Sequence, residues 1–214
     1  MPPRSWCVSS GKKPRSSEGR PGTTPPIRMQ PMNREREMAD VLAIVEQREG
    51  KIRGISNEVV SAAARVAAEL GGAPHALLLG PAGLGGEAAG LGRYGAEKIR
   101  AAEAEALSVY HPEGYSRVVA DVVREGGYAV VVFPASAQGK DLAPRVAALL
   151  DVPLASDVTG LEVEGGSLVA VRPVFSGKAF ATVAFKASPS LVSIRPNAFQ
   201  PRESPAAGLV ESFV

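Results

Sequence analysis

Apolar residues in this 214-residue chain come in short runs set between glycines, and the runs change character along its length. Val41-Leu-Ala-Ile-Val45 is apolar at every position, the mark of a strand buried on both faces. After a loop holding Gly50 and Gly54, Val59, Ala63, Val66 and Leu70 recur on one helical face. Ser56 or Asn57 is placed to cap that helix, and Gly71-Gly72 to end it. Residues 76–79 read as a second strand. Between Gly80 and Gly95 the glycines obscure the pattern, and a helix is expected around residues 87–93. Residues 97–101 fit either a third short strand or the start of a helix, because Ala and Glu favour helix. Pro112 opens a helix to about Glu125, closed by Gly126-Gly127. Residues 128–133 are the clearest buried strand. Residues 139–150 then form a helix with Leu142, Val146, Leu149 and Leu150 inward and Pro144 confined to its first turn.

Strands and helices alternating in this order indicate an open, mostly parallel α/β sheet with flanking helices. From Asp157 onward no helix is expected. Residues 158–163, 167–174, 179–185 and 190–194 read as four strands. Glu164-Gly165-Gly166 and Ser176-Gly177-Lys178 are hairpin turns joining the first three. The fold class is therefore α/β with an antiparallel C-terminal strand extension. Beyond Phe199 the chain is polar and contains proline, so residues 200–214 read as a truncated linker.

Charge sharpens the domain limits. The net charge of +2 averages two unlike regions. Residues 1–38 hold eight basic residues and three acidic ones, a balance of +5, leaving −3 for residues 39–214. The basic excess thus lies outside the folded pattern, and nucleic-acid binding loses its electrostatic argument. The same segment holds 7 of the 18 prolines and the lone Trp6 and Cys7, with no apolar periodicity. It reads as a disordered basic tail or a mis-assigned start, with Met29, Met32 and Met38 as alternative starts. Met38 fits best, since a strand pattern begins directly after it. A single cysteine excludes an internal disulfide and Cys-based zinc sites, and fits a reducing compartment. No apolar run reaches the length of about 18 residues that a membrane span needs.

The most suggestive chemistry lies in Pro134-Ala-Ser-Ala-Gln-Gly-Lys-Asp141, where a strand leads into a helix N-terminus. Open α/β sheets bind ligands at such places, and free N–H groups there favour an anion. Ser136, Gln138, Gly139 and Lys140 are weak cofactor-binding candidates on this ground. The phosphate-loop pattern fails, with Pro134 at its first glycine and Asp141 at its Ser/Thr position. Asp141 and Arg145 have the spacing of an ordinary helical ion pair. Gly83-Leu-Gly-Gly-Glu-Ala-Ala lacks the third glycine of a dinucleotide fingerprint and reads as a surface loop. His75 and His111 have no second ligand at helical spacing, and no nucleophile elbow is present. Arg172 and Arg195 sit in or beside apolar strands, as interface contacts or as arginines reaching to solvent. No catalytic constellation emerges, and the domain reads as one built to contact something.

Residues 135–150 closely resemble the signature segment of the electron transfer flavoprotein alpha subunit. So do Ser156-Asp157-Val158, Val171-Arg-Pro-Val-Phe-Ser-Gly-Lys-Ala179 and Ser193-Ile-Arg-Pro-Asn-Ala-Phe199. The opening strand followed by Gly50-Lys51-Ile52 also fits, and the resemblance covers residues 38–199. It implies an adenine-nucleotide-alpha-hydrolase-like N-terminal domain, mainly structural, that docks on a beta subunit. The heterodimer would carry FAD, held chiefly by a C-terminal alpha domain, and AMP could sit on the beta subunit. Electrons would pass from acyl-CoA or other dehydrogenases, as in fatty acid beta-oxidation, to a quinone oxidoreductase. The family's flavin segments have no counterpart before Val214, so no FAD ligand is carried onto this chain. Asp141, Arg145, Asp157, Arg172 and Arg195 transfer as interface or family-signature residues.

The implied part is an electron-carrier component with no catalytic residues, metal, nucleic-acid partner or membrane span. It would be cytoplasmic, or in the mitochondrial matrix if the N-terminal segment is a transit peptide. The alternative is a small AMP- or ATP-binding domain of universal-stress-protein type. A hydrolase would require Ser136 beside His111.

Overall fold

A computed structural model describes residues 39–213. The segment 1–38, with Trp6, Cys7 and the alternative starts, lies outside the described residues. The first strand, β1 (Val41–Val45), is buried at all five positions. Val41, Ala43 and Val45 share a core with Val59, Ala63 and Val66 of α1 (Ile55–Leu70). Leu42 and Ile44 point to the opposite core, with residues of α3 (Pro112–Gly126) and α4 (Ala137–Leu150). Burial on both faces explains the unbroken apolar run.

Between these elements lie a small hairpin of β2 (Gln47–Arg48) and β3 (Lys51–Ile52), then β4 (Pro74–Gly80), α2 (Gly85–Ala88) and β5 (Lys98–Glu103). The chain continues through β6 (Val130–Pro134), β7 (Leu154–Val158), β8 (Gly160–Glu164), β9 (Ser167–Val174), β10 (Ala179–Ala184), β11 (Ser190–Ile194) and β12 (Leu209–Phe213). Seven strands form one sheet in the order β12-β5-β4-β1-β6-β11-β7, every neighbouring pair parallel. β8, β9 and β10 form a separate antiparallel sheet. Leu161, Leu168 and Ala170 of that sheet join the core on the α1 side, and Arg65 of α1 donates to the Leu161 carbonyl at 3.0 Å. The α/β class with an antiparallel extension is as the pattern implies.

Several elements differ from the sequence reading. Neither Ser56 nor Asn57 caps α1: Gly54 stands at that position, and Ser56 turns inward instead. The glycine-rich stretch holds only the single turn of α2 and a 3-10 segment, Ala89–Tyr94, in place of a regular helix over 87–93. Pro144 is the eighth residue of α4, not in its first turn. It lies on the exposed face, where water can take the carbonyl its ring leaves unbonded. Leu149 is 42 % exposed, because Ala143 and Ala147 complete the inward stripe with Leu142 and Val146.

β7 was not expected as a strand of its own, and β11 does not belong with the antiparallel group. β11 lies between β6 and β7 in the parallel sheet, buried at all five positions. The stretch read as a linker carries β12, which pairs with β5 from Leu209↔Lys98 to Phe213↔Ala102. Arg100 lies over the Phe213 ring at 4.8 Å, a cation–π contact holding this edge.

Gly71 ends α1 in the left-handed region (φ 77°, ψ 24°), and its N–H donates to the Ala67 carbonyl. Open space surrounds the position of a Cβ there. Gly71→Ala should therefore cost about 1 kcal/mol through backbone conformation alone. Urea titration checks this, and an unchanged midpoint would contradict the left-handed cap.

Candidate functional site

From β1 the chain steps outward to β4 and β5, then crosses back to β6 on the other side of β1. The carboxyl ends of β1 and β6 thus flank the point where the winding reverses, the usual ligand crevice of open α/β sheets. Glu46 follows β1 at this point, and Ser136 follows β6 as the N-cap of α4. The extended backbone of Ser136 (φ −70°, ψ 179°) lets its Oγ accept from the Gly139 N–H at 3.0 Å. The same hydroxyl donates to Glu46 Oε1. Arg53 Nη1 stands 3.3 Å from Glu46 Oε2. Ser56 Oγ donates to the Glu46 carbonyl at 3.1 Å and accepts from its N–H at 3.0 Å, fastening the strand end to α1.

Glu46 is 1 % exposed. Burial pushes its carboxyl above the ordinary carboxylate value, although Ser136 and Arg53 pull the other way. A Cβ on Gly139 would collide with the Pro134 carbonyl oxygen, so glycine allows α4 to start hard against the strand end. The place where a helix N-terminus would receive a phosphate is filled by the protein's own carboxylate. A flavin diphosphate or nucleotide phosphate therefore does not fit among Ser136, Gln138, Gly139 and Lys140 as they stand. The Ser136 hydroxyl serves a carboxylate and a helix cap. His111 caps α3 by accepting from the Gly114 N–H at 3.3 Å, so the two do not form a nucleophile pair. His75 Nδ1 lies 3.1 Å from the Tyr128 hydroxyl, and burial lowers its pKa.

One turn along α4, Asp141 accepts from the Tyr110 hydroxyl at 2.7 Å and from Arg145 Nε at 3.0 Å. The pair expected from spacing is thus a triad tying α4 to the loop before α3. Tyr110 first, then Arg145, holds the Asp141 carboxyl below its usual value. A further cluster brings together Asp157, Arg172 and Arg195. Arg195 grips Asp157 with both arms of its fork, Nε to Oδ1 at 3.1 Å and Nη2 to Oδ2 at 2.5 Å. That grip lowers the Asp157 pKa, and Lys140 is near enough to lower it further. Asp157 itself adopts φ 60° where the β11–β7 register shifts, and its N–H donates to Ser193 Oγ at 3.1 Å.

Glu46, Arg53 and Tyr110 are not singled out by the sequence, and Ser56 is singled out only as a helix cap. The only local sign of Glu46 is a charge placed directly after a wholly apolar strand.

Residues 41–212 match the family described as electron transfer flavoprotein domain. The chain is 34 % identical over 175 residues to the electron transfer flavoprotein subunit alpha of Bacillus subtilis (strain 168), covering 81 % of this chain and 53 % of that protein. It is 36 % identical over 163 residues to Protein FixB of Clostridium saccharobutylicum, with 75 % and 48 % covered. Over 189 residues it is 30 % identical to the acryloyl-CoA reductase electron transfer subunit beta of Anaerotignum propionicum, with 77 % and 51 % covered. The chain spans about half the length of these curated relatives.

Proposed function

The chain belongs to the electron transfer flavoprotein domain family, and from that premise we propose that it acts as the structural and subunit-docking N-terminal part of an alpha subunit. In this reading it pairs with a beta subunit. The complex carries electrons from dehydrogenases, acyl-CoA dehydrogenases among them, to a quinone oxidoreductase through FAD. The flavin is held mainly by a second alpha domain, and AMP, where present, sits on the beta subunit. The chain itself is an electron-carrier component without catalytic residues, working in the cytoplasm.

The observation that carries this reading is Glu46. A carboxylate that is 1 % exposed occupies the crevice where the fold would otherwise receive a phosphate. That favours a scaffold over a cofactor holder. The alternative, a nucleotide-binding domain of universal-stress-protein type, needs the first N–H groups of α4. One of these, that of Gly139, already serves Ser136, whose hydroxyl serves Glu46.

Co-expression with a beta-type subunit and the flavin-binding part of an alpha subunit should give a yellow, co-purifying complex with flavin absorbance. A chain that remains alone and colourless overturns the proposal. Calorimetry of the isolated chain with AMP and with ATP should show no binding. Micromolar affinity for either would favour the alternative.

A further inference from the structure

Asp157, Arg172, Phe175, Ser176 and Arg195 line an open cleft of about 560 Å³ beside the carboxyl end of β11. Arg195 is committed to Asp157. Arg172 is not so committed: its Nε, shut off from water, is the one buried side-chain polar atom without a hydrogen-bond partner among the described residues. Buried donors are nearly always satisfied in folded proteins, so an orphan in a cleft-lining side chain marks a guanidinium with no acceptor of its own within the chain. The planar fork of a guanidinium matches the two oxygens of a carboxylate. Two guanidiniums and the nearby Lys140 outweigh the single carboxylate of Asp157, leaving the cleft positive.

One rim of the cleft carries Phe175 and is held in an unusual shape. Phe175 and Ser176 both take positive φ, 50° and 56°, which side-chain-bearing residues seldom adopt. Phe175 is 80 % exposed and Phe180, on the adjoining β10, 67 % exposed. Exposed aromatics beside an unsatisfied arginine are the composition of an interface anchor rather than of a small-ligand site. The fixed charge of Asp157 also opposes a dianion such as phosphate more strongly than a monoanion.

We propose that the Arg172–Arg195 cleft is an anchoring pocket for an Asp or Glu side chain of the partner subunit, with Phe175 covering the apolar residue beside it. This rests on the docking role proposed above. An incoming carboxylate would pair with the Arg172 guanidinium where it lines the cleft. Phe175 would lose its exposed surface to the partner.

The test measures the dissociation constant of the assembled complex with the beta subunit by calorimetry at two salt concentrations. Arg172→Gln should weaken association by about 30-fold, and Phe175→Ser by about 10-fold. Added salt should weaken the wild-type complex more than the Arg172→Gln complex. Arg172→Lys should recover only part of the loss, because it keeps the charge without the fork. Arg48→Gln, at a residue whose side chain is 81 % exposed in the small hairpin, should bind like wild type. If the complex forms and neither Arg172→Gln nor Phe175→Ser changes its affinity, this inference fails while the docking role stands. If the wild-type chain forms no complex, both fail. Should Arg172→Gln not fold, the exposed Phe175→Ser variant decides alone.

Discussion

Gly139→Ala should destabilise the domain by about 3 kcal/mol, while Gly114→Ala should leave it unchanged or stabilise it by about 0.5 kcal/mol. The two glycines make a matched pair. Each is the third residue of its helix, and each donates its N–H to the side chain of its capping residue, Ser136 or His111. Helix propensity and capping are thus the same in kind at both sites. Only the tertiary surroundings differ. A Cβ on Gly114 would meet His111 Nδ1 at 3.7 Å, an ordinary contact. A Cβ on Gly139 would run into the Pro134 carbonyl oxygen, part of β6 and fixed by its neighbours. Relief requires α4 to move away from the strand end. That stretches the Gly139–Ser136 bond and the Ser136–Glu46 bond with it. With a urea slope of about 2 kcal/mol/M, the midpoint of the Gly139 variant should fall by about 1.5 M at constant slope. Equal midpoints for the two variants would contradict the close approach of α4 to β6.

The central strands were legible because burial on both faces writes itself into the chain as an unbroken apolar run. β1 and β6 carry that mark, and so does β11, yet its neighbours could not be read. Val192 lies between Val132 of β6 and Ala155 of β7, contacts across scores of residues that no local pattern encodes. β7 was hidden because Ser156 and Asp157 interrupt its apolar residues at the sheet edge, where one side of a strand need not be buried. β12 was hidden for the same reason, with Leu209 65 % exposed and Glu211 paired to Lys98 at 2.7 Å. Half of the candidate site was legible too. The loop from Pro134 to Asp141 stood out as a strand-to-helix junction. Its electrostatic partner did not, because Glu46 lies 90 residues earlier and only the parallel pairing of β1 with β6 brings the two together. The sequence pattern therefore pointed to an anion position, and the fold supplies the anion from within the chain.

Glu46→Lys should unfold or nearly unfold the domain, at a cost of about 4 kcal/mol, whereas Glu46→Gln should cost about 1 kcal/mol or less near neutral pH. The lysine variant puts an ammonium where it faces Arg53 and the positive end of α4 with almost no access to water. The glutamine variant keeps an oxygen for the Ser136 hydroxyl, and loses the charge and the acceptor that faces Arg53. The pH dependence separates the buried carboxylate from an ordinary surface one. Burial raises the folded-state pKa of Glu46 above its unfolded value, so the folded chain binds this proton more tightly. On this group's account, stability is fully present below the unfolded value and is lost as pH rises through the folded one. Glutamine does not titrate. Wild type should therefore lose ground to Glu46→Gln as pH rises from about 4 to about 7, read as a narrowing or reversal of the difference between their urea midpoints. A difference that widens in favour of wild type over the same range would mean that Ser136 and Arg53 outweigh desolvation. The crevice would then hold a stabilised carboxylate, supported by Ser136 and Arg53 together.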